Sequence, residues 1–241
     1  MVDIHCHILP GLDDGSDNFE ESLRMARLAV EGGTKTIIAT PHCNIPDSFQ
    51  NYFGRTYADI FNKFKSKLKK ENIPLKIFPG HEIFACGNLT DLIKEKRLLT
   101  LCKSDYLLVE FDFAEHADSV YAKLRALISE GLIPIVAHPE RYAFVAEDET
   151  APFRLKTMGC LLQINKGSLK GSFGKAAYDA AHNMLENELA DFVASDAHSP
   201  YMRTPYLADA YELISKIYSE EYANLLLTQN PSKILENKKI S

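Results

Sequence analysis

The chain of 241 residues lacks the loops that bind nucleotides in the common phosphate-binding folds. It contains no G-x-x-x-x-G-K-[ST] segment and no G-x-G-x-x-G segment. The G-x-S-x-G turn of serine hydrolases is also absent. None of the five cysteines is followed by an arginine six positions later, as the loop of thiolate phosphatases requires. These absences exclude the common nucleotide loops and two kinds of nucleophilic catalysis.

Long apolar runs and paired cysteines are absent as well. No apolar run approaches 18 residues, so we predict neither a transmembrane helix nor membrane insertion. The first predicted strand starts directly after Met1, and on that basis we expect no signal peptide. The scattered cysteines suit reduced thiols better than a disulfide framework, and the net charge of -6 argues against nucleic acid as a partner. We therefore expect a cytoplasmic protein.

The hydrophobic pattern predicts a strand followed by a helix about seven times along the chain. Runs such as 36–40 and 106–109 are continuously apolar, which is typical of a parallel sheet covered by helices on the outside. The first helix is predicted to have Ser16 or Asp17 as its N-cap and to end at Gly32-Gly33, and residues 43–54 are expected to form a long loop. Because no linker or repeat is evident, we predict one α/β domain over 1–241, built as a complete or distorted (β/α) barrel.

The first strand carries two histidines with one residue between them. Alternate side chains of a strand share a face, so His5 and His7 are expected to project together, and Ile4 and Cys6 away from them. Two imidazoles on one face are a common means of holding a metal ion.

Nearly every other predicted strand also ends in a residue that could bind a metal. In a (β/α) barrel these carboxyl ends converge on one site, although the residues are spread over nearly 200 positions. The candidate ligands are His5, His7, Asp14, His42, Glu82, Glu110, His138, Asp196 and His198. The pattern itself does not separate Asp13 from Asp14, whereas strand alternation favours Glu82 over the adjacent His81.

Nine nitrogen and oxygen ligands are too many for one ion that keeps open positions. They suit two or three divalent cations bridged by carboxylates, which generate hydroxide near neutral pH and hold phosphoryl oxygens. Arg141 and Arg203 follow two of the ligands closely, and a guanidinium can bind phosphate through two hydrogen bonds. Tyr142 and Tyr201 are candidates to stack on an aromatic leaving group. The implied chemistry is hydrolysis.

Six segments together resemble the PHP (polymerase and histidinol phosphatase) superfamily, and within it the bacterial metal-dependent tyrosine-protein phosphatases of capsule and exopolysaccharide gene clusters. The segments are DIHCHILPGLDDGS at 3–16, IIATPH at 37–42, PGHEI at 79–83, VEF at 109–111, VAHPERY at 136–142 and VASDAH at 193–198. The resemblance covers almost the whole chain.

The resemblance implies a distorted (β/α)7 barrel of the TIM type with three metal ions. Manganese is the expected metal, with iron, zinc or magnesium as alternatives. It also implies hydrolysis of phosphotyrosine on an autophosphorylated bacterial tyrosine kinase that controls polysaccharide export. By matching positions, it assigns the nine candidate ligands, chooses Asp14 over Asp13, and makes Arg141 and Arg203 phosphate-binding residues. In the expected reaction a hydroxide bridging the metals attacks phosphorus. His81 departs from the glutamine or alanine that we expect before the glutamate, which leaves open an extra ligand or hydrogen bond.

Three other functions compete with this interpretation. A PHP phosphatase of a small metabolite such as histidinol phosphate would use the same site. A metal-dependent nuclease is disfavoured by the acidic charge and the missing basic patches. A module that binds a kinase without catalysis would have no need of every ligand. Glu20, Glu21 and Arg24 are candidates for pairs between the subunits of a homo-oligomer, although an exposed helix face is the simpler explanation for them.

Overall fold

The computed structural model describes residues 1–87 and 89–240. The strands in these residues are β1 Val2–Cys6, β2 Thr36–Ala39, β3 His42–Cys43, β4 Lys76–Pro79, β5 Glu82–Phe84, β6 Tyr106–Glu110, β7 Ile133–Ala137, β8 Leu161–Asn165 and β9 Phe192–Ala194. The helices are α1 Phe19–Glu31, α2 Arg55–Lys70, α3 Leu89–Lys94, α4 Ala117–Ser129, α5 Ala143–Glu147, α6 Ala151–Thr157, α7 Lys166–Leu169, α8 Lys175–Glu186, α9 Ala208–Ile217, α10 Glu220–Asn224 and α11 Asn230–Leu235. Leu101–Lys103 and Pro139–Arg141 form 3₁₀ turns, and Leu225–Gln229 forms a π-helical segment.

All the strand pairs are parallel, as predicted, and they form two sheets in the orders β1-β2-β4 and β3-β5-β6-β7-β8-β9. After a break of two residues, β2 is followed by the short strand β3 and β4 by the short strand β5, neither of which was predicted. The first break falls at Pro41, which has no N–H for a ladder. The second falls at Gly80, where a Cβ atom would lie 2.9 Å from Leu101 Cδ2. The breaks place His42 and Glu82 at the starts of new short strands.

The last strand meets the first through the residues that follow β9. Asp196 N donates to His5 O, and His7 N donates to Ala197 O, both at 2.9 Å. In the described residues this contact consists of a few bonds and no continuous ladder links β9 to β1, so the barrel is not closed. The predicted barrel-like α/β fold is confirmed in this distorted form.

The interior of the fold is filled by apolar side chains from strands of both sheets. One buried cluster contains Ile4 of β1, Ile38 of β2, Leu108 of β6, Ile135 of β7 and Phe192 of β9. Side chains of these strands form one cluster only if the sheets curve around them. The curvature brings the carboxyl ends of the strands toward one mouth.

Helix α1 begins later than the sequence predicted. Its N-cap is Asn18, whose side chain accepts hydrogen bonds from the N–H groups of Glu20 and Glu21 at 2.9 and 3.1 Å. The prediction of Ser16 or Asp17 was wrong, since the Ser16 hydroxyl lies against Ser22 and the carbonyl of Asn18 instead. Among the described residues, no helix has the length and apolarity to cross a membrane.

Candidate metal centre

Strand β1 directs two histidine side chains at one point, as its alternation predicted. The Nε2 atoms of His5 and His7 lie 3.2 Å apart, and both rings are fully buried. Each ring is held from behind at Nδ1: His5 by Gln163 Oε1 at 2.7 Å and His7 by Asp13 Oδ2 at 2.7 Å. If Nδ1 carries the proton in both rings, both Nε2 atoms are free to bind a cation.

Glu82 lies at the centre of the candidate ligands. Its Oε2 atom is 3.1 Å from His5 Nε2, 3.2 Å from His7 Nε2 and 3.1 Å from His42 Nδ1. Its other oxygen lies 2.9 Å from Nε2 of His138. The side chain is fully buried because β5 begins at this residue and points it inward. One carboxylate therefore faces four imidazoles.

The ligand atoms fall into three groups that overlap. Within each group, all the nitrogen and oxygen atoms that could bind an ion lie within 4.8 Å of one another. The groups are His7, Asp14, His42 and His198; His5, His7, Glu82 and Asp196; and His42, Glu82 and Glu110. His138 joins them through Glu82 and through Glu110 Oε2 at 3.8 Å. All nine predicted residues are thus brought together.

Two of these residues adopt a backbone conformation that is unusual for residues with a side chain. His138 has φ 36° and Asp196 has φ 47°, and each follows the end of a strand closely. The left-handed region costs free energy for residues other than glycine, and such costs concentrate at functional sites. Here the turn places the two side chains beside Glu82 and His5, respectively.

The electrostatics of the cluster favour charged carboxylates. Burial alone would raise the pKa of Glu82, but His5 and His42 beside it hold that pKa well below its usual range. Burial likewise opposes the charge of Asp196, and the neighbouring His5, His7 and Arg203 keep its pKa well below normal. Burial would lower the pKa of His42, yet Glu82 and Glu110 raise it to about 9. Buried carboxylates are stable here only with positive partners.

The residues present fit a cluster of divalent cations. Ligands that share one ion at about 2.1 Å lie roughly 3 Å from each other, and the distances around Glu82 Oε2 are of that size. Three buried atoms here have no hydrogen-bond partner in the described structure, namely Glu82 Oε2, His42 Nδ1 and His138 Nδ1. A cation would give a partner to Glu82 Oε2, the atom at the centre of the group.

Three residues support the candidate ligands: Asp13, which the sequence pattern did not separate from Asp14, and Gln163 and Asn165, which were not identified from the sequence. Asp13 contacts Nδ1 of His7, on the side of the ring away from the other ligands. Its neighbour Asp14 instead faces His42 and His198, at 3.6 and 3.4 Å. Gln163 donates to Asn165 Oδ1 at 2.9 Å, and Asn165 donates to Asp196 Oδ2 at 2.5 Å. The sequence did indicate that Gln163 and Asn165 could share a face, since they lie two residues apart at the end of β8. They were missed because amide side chains were not expected to bind the metal.

His81 and Tyr142 have roles in packing. His81 points away from Glu82, as alternation predicted, and its Nδ1 accepts a hydrogen bond from Leu99 N at 3.1 Å. Burial lowers the pKa of His81 to about 3, so the ring is neutral. Tyr142 is fully buried with its hydroxyl on Phe111 N at 3.2 Å, which makes the predicted stacking on a leaving group wrong for this residue.

The two predicted arginines lie at the mouth of the cluster. Arg203 Nη2 is 2.5 Å from Asp196 Oδ2, and Arg141 Nη1 is 3.8 Å from the same oxygen. Both line an open cavity of about 340 Å³ together with seven of the candidate ligands and Phe113. Tyr201 is 65% exposed and accepts a hydrogen bond from Arg24, which itself pairs with Glu20 of the same helix.

Comparison with known proteins gives one consistent family. Residues 1–236 match the family model described as "Capsular polysaccharide synthesis, CpsB/CapC". The chain is 38% identical over 245 residues to the tyrosine-protein phosphatase YwqE of Bacillus subtilis, covering 100% of this chain and 93% of that protein. It is 32% identical over 245 residues to the tyrosine-protein phosphatase CpsB of Streptococcus agalactiae, covering 98% and 99%.

Solved structures agree with the sequence comparison. The fold superposes with a TM-score of 0.92 and 36% identity on a crystal structure from work on YwqE from Bacillus subtilis and CpsB from Streptococcus pneumoniae, described as unique metal-dependent tyrosine phosphatases. The match covers 100% of this chain and 96% of that one. The family and the phosphatase class expected from the sequence are thereby confirmed, and the chain belongs to the CpsB/CapC family of capsular polysaccharide synthesis.

Proposed function

We propose that this protein is a metal-dependent phosphatase that hydrolyses phosphotyrosine in protein substrates. One observation carries the proposal: the buried Glu82 oxygen, which has no hydrogen bond, lies within 3.2 Å of three imidazole nitrogens beneath a cavity with two arginines at its mouth. The arrangement supplies a place for cations and a place for a phosphate side by side. The relatives YwqE of Bacillus subtilis and CpsB of Streptococcus agalactiae are tyrosine-protein phosphatases.

The nine candidate ligands are proposed to hold three divalent ions. The three overlapping groups correspond to one ion each, with His7, His42 and Glu82 shared between groups. No cysteine belongs to any of the groups, and mixed imidazole and carboxylate donors suit manganese, iron, zinc or magnesium more than a structural zinc site. Manganese is the proposed metal.

The chain's own residues then orient the substrate. Bound divalent cations would supply hydroxide near neutral pH and would neutralise phosphoryl oxygens. Arg141 and Arg203 are proposed to hold the phosphoryl oxygens that do not react, since both guanidiniums face the cavity. The leaving group is a phenolate whose conjugate acid has a pKa near 10, so the reaction needs less proton donation than release of an alkoxide. We assign no general acid.

The proposed substrate is an autophosphorylated tyrosine kinase of capsule or exopolysaccharide synthesis. The family's role in capsular polysaccharide synthesis and a cavity that is open at the surface support the proposal of a kinase substrate. We further propose that residues 1–241 act as one domain in the cytoplasm. Assembly into a homo-oligomer is also proposed, although the Glu20 and Arg24 pair within α1 shows that these charges need no second subunit.

Phosphate release from three esters tests the proposal. Protein stripped of metal would be incubated with a phosphotyrosine peptide, a phosphoserine peptide or histidinol phosphate, with and without added manganese. We expect release that depends on manganese and is confined to phosphotyrosine. A preference for histidinol phosphate would favour a metabolic phosphatase, and binding of the phosphotyrosine peptide without release would favour a binding module.

A Glu82→Gln variant is the matched control for this test. The substitution keeps the size of the side chain but removes the charge that the four imidazoles face. Phosphate release by this variant at the rate of the unmodified protein, at equal manganese, would contradict the proposed site.

A further inference from the structure

Phe173 contacts both of the arginines that face the cavity. The guanidinium carbon of Arg141 lies over the Phe173 ring at 4.3 Å from the centroid, and that of Arg203 lies over the same ring at 5.6 Å. Of the two arginines, only Arg141 lies over the Phe113 ring, at 4.4 Å from its centroid. In the described residues, no other ring touches both guanidiniums.

Arg141 has little else to fix its direction. In residues 1–87 and 89–240 its side chain makes one ion pair, at 3.8 Å from Asp196, and no hydrogen bond. The faces of Phe113 and Phe173 lie next to the guanidinium, with centroids 4.4 and 4.3 Å away, and a guanidinium held over an aromatic face is attracted by the ring quadrupole. Arg203 has a close ion pair with Asp196, but its buried Nε atom has no hydrogen-bond partner. The two rings, together with one long ion pair, therefore define the orientation of Arg141.

The segment that carries Phe173 is built to hold the ring in this place. Phe173 lies between α7 and α8, and the turn around it is closed by a hydrogen bond from Ser172 N to Gly167 O at 2.9 Å. A Cβ atom on Gly167 would lie 2.7 Å from Cε2 of the ring. Gly171 and Gly174 have φ of 74° and 89°, a conformation that residues with a side chain rarely adopt. The absence of a side chain at Gly167 thus leaves the space that the edge of the Phe173 ring occupies.

We propose that Phe173 is a positioning residue that holds Arg141 and Arg203 at the separation needed to bind the phosphoryl group. The ring does not itself reach the reacting atoms and acts through the two guanidiniums. Neither arginine then has to be ordered when the phosphate arrives, so less conformational entropy is lost on binding. The inference rests on the proposed phosphatase function, because it takes the phosphoryl group as the ligand of these arginines.

Phosphate binding to the manganese-loaded protein tests the inference directly. Titration calorimetry with inorganic phosphate would compare the unmodified protein with Phe173→Ala, Phe173→Leu and Phe173→Tyr, after a check of folding by circular dichroism and of bound manganese. We expect about tenfold weaker binding with alanine, the size for loss of a cation–ring contact at two partly exposed guanidiniums. Tyrosine should restore binding and leucine should not, since leucine fills space without a ring face.

Two further variants separate positioning from general packing. Gly167→Ala leaves Phe173 in the sequence but displaces its ring, so it should weaken phosphate binding in the same direction. Phe153→Ala removes a ring that is 44% exposed on α6, outside the residues that line the cavity, and should change nothing. Binding by Phe173→Leu as strong as by Phe173→Tyr would overturn the role of the ring face.

A double-mutant cycle identifies the groups through which the ring acts. In an Arg141→Ala, Arg203→Ala background, Phe173→Ala should cost much less than tenfold in phosphate affinity, because its partners are gone. An undiminished cost would overturn the inference, as would the absence of phosphate binding by the unmodified protein. Measured phosphate binding without turnover of any ester would refute the proposed enzyme while leaving the role of Phe173 to be decided by calorimetry alone.

Discussion

Exchange of Asp13 or Asp14 for asparagine should separate a supporting residue from a metal ligand. The two residues are adjacent and chemically identical, yet the structure gives them different surroundings. The Asp13 side chain is fully buried behind His7, whereas that of Asp14 is 54% exposed and faces His42 and His198. Both substitutions keep the size of the side chain and remove one negative charge.

Asp13→Asn leaves an unpaired donor whichever way the amide turns. Asp13 Oδ2 accepts from His7 Nδ1 at 2.7 Å and from His42 N at 2.8 Å, and Oδ1 accepts from Gly15 N at 3.0 Å. An asparagine offers one oxygen, so its NH₂ group must face at least one of these donors. Loss of a partner that orients a histidine ligand typically costs 10- to 100-fold in metal affinity, or about 1.4 to 2.7 kcal/mol.

Asp14→Asn should act on the number of ions instead. Asp14 belongs to one of the three ligand groups, so we expect the loss of about one bound ion while the others remain. Excess manganese should restore most of the activity of Asp13→Asn, whose ligands are intact, and little of that of Asp14→Asn.

The number of bound ions is measured by metal analysis after dialysis against buffered manganese. The recovery of activity is measured by phosphate release at the same manganese concentrations. An exposed residue on the same segment supplies the control, Asp17→Asn, which should behave as the unmodified protein. The reasoning would be refuted if Asp13→Asn lost an ion that excess manganese could not return, or if Asp14→Asn bound the full complement.

Three other changes test separate parts of the site. Arg141→Ala should lower kcat/KM about 10- to 100-fold, the loss of charged hydrogen bonds to phosphate, without change in bound metal, because the guanidinium is 3.8 Å from its nearest carboxylate. Gly15→Ala should abolish metal binding and lower Tm, since the added Cβ would lie 2.3 Å from the carbonyl oxygen of His7. His81→Gln should keep both metal and stability, because a glutamine oxygen can accept the Leu99 N–H, whereas His81→Ala leaves that N–H unpaired at a cost of about 1 to 3 kcal/mol.

Each of these three has an outcome that contradicts it. Metal lost from Arg141→Ala would mean that the arginine supports the ligands and does not act on substrate. Gly87→Ala is the control for Gly15→Ala because nothing lies within 4 Å of its added Cβ; an equal fall in Tm would show a general effect of alanine. Loss of an ion from His81→Gln would show that His81 binds metal after all.

Strand alternation and strand ends predicted much of the site because they depend on local backbone geometry. The pair on β1 converges as period two requires, and Glu82 faces inward while His81 faces outward for the same reason. The position of Asn18 as the cap of α1 was missed because three neighbouring residues can all cap a helix, and packing decides among them. The short strands β3 and β5 were missed because Pro41 and Gly80 indicate strand ends in the sequence, whereas strand pairing resumes a residue or two after each of them.

The end of β8 shows what a search for ligands alone overlooks. No metal ligand was predicted at this strand end. In the structure its side chains form hydrogen bonds to candidate ligands at the ends of other strands. Gln163 holds the ring of His5, and Asn165 holds Asp196. Amides suit this role because they remain neutral and can donate and accept at once, so they orient charged ligands without competing for the cation.

The chain just after β8 extends the same support outward. The 3₁₀ turn that ends at Arg141 is tied to it, since Glu140 accepts from Asn165 N at 3.0 Å and from Ser168 Oγ at 2.6 Å. Phe173 follows a few residues later and meets the guanidinium of Arg141. The segment 163–173 thus contacts His5, Asp196 and Arg141, which lines the cavity. Small movements at the end of β8 would shift His5, Asp196 and the turn of Arg141 together, so we expect substitutions of Gln163 or Asn165 to alter metal affinity and phosphate affinity in parallel, as independent sites would not, whereas substitutions of Phe173 should alter phosphate affinity alone.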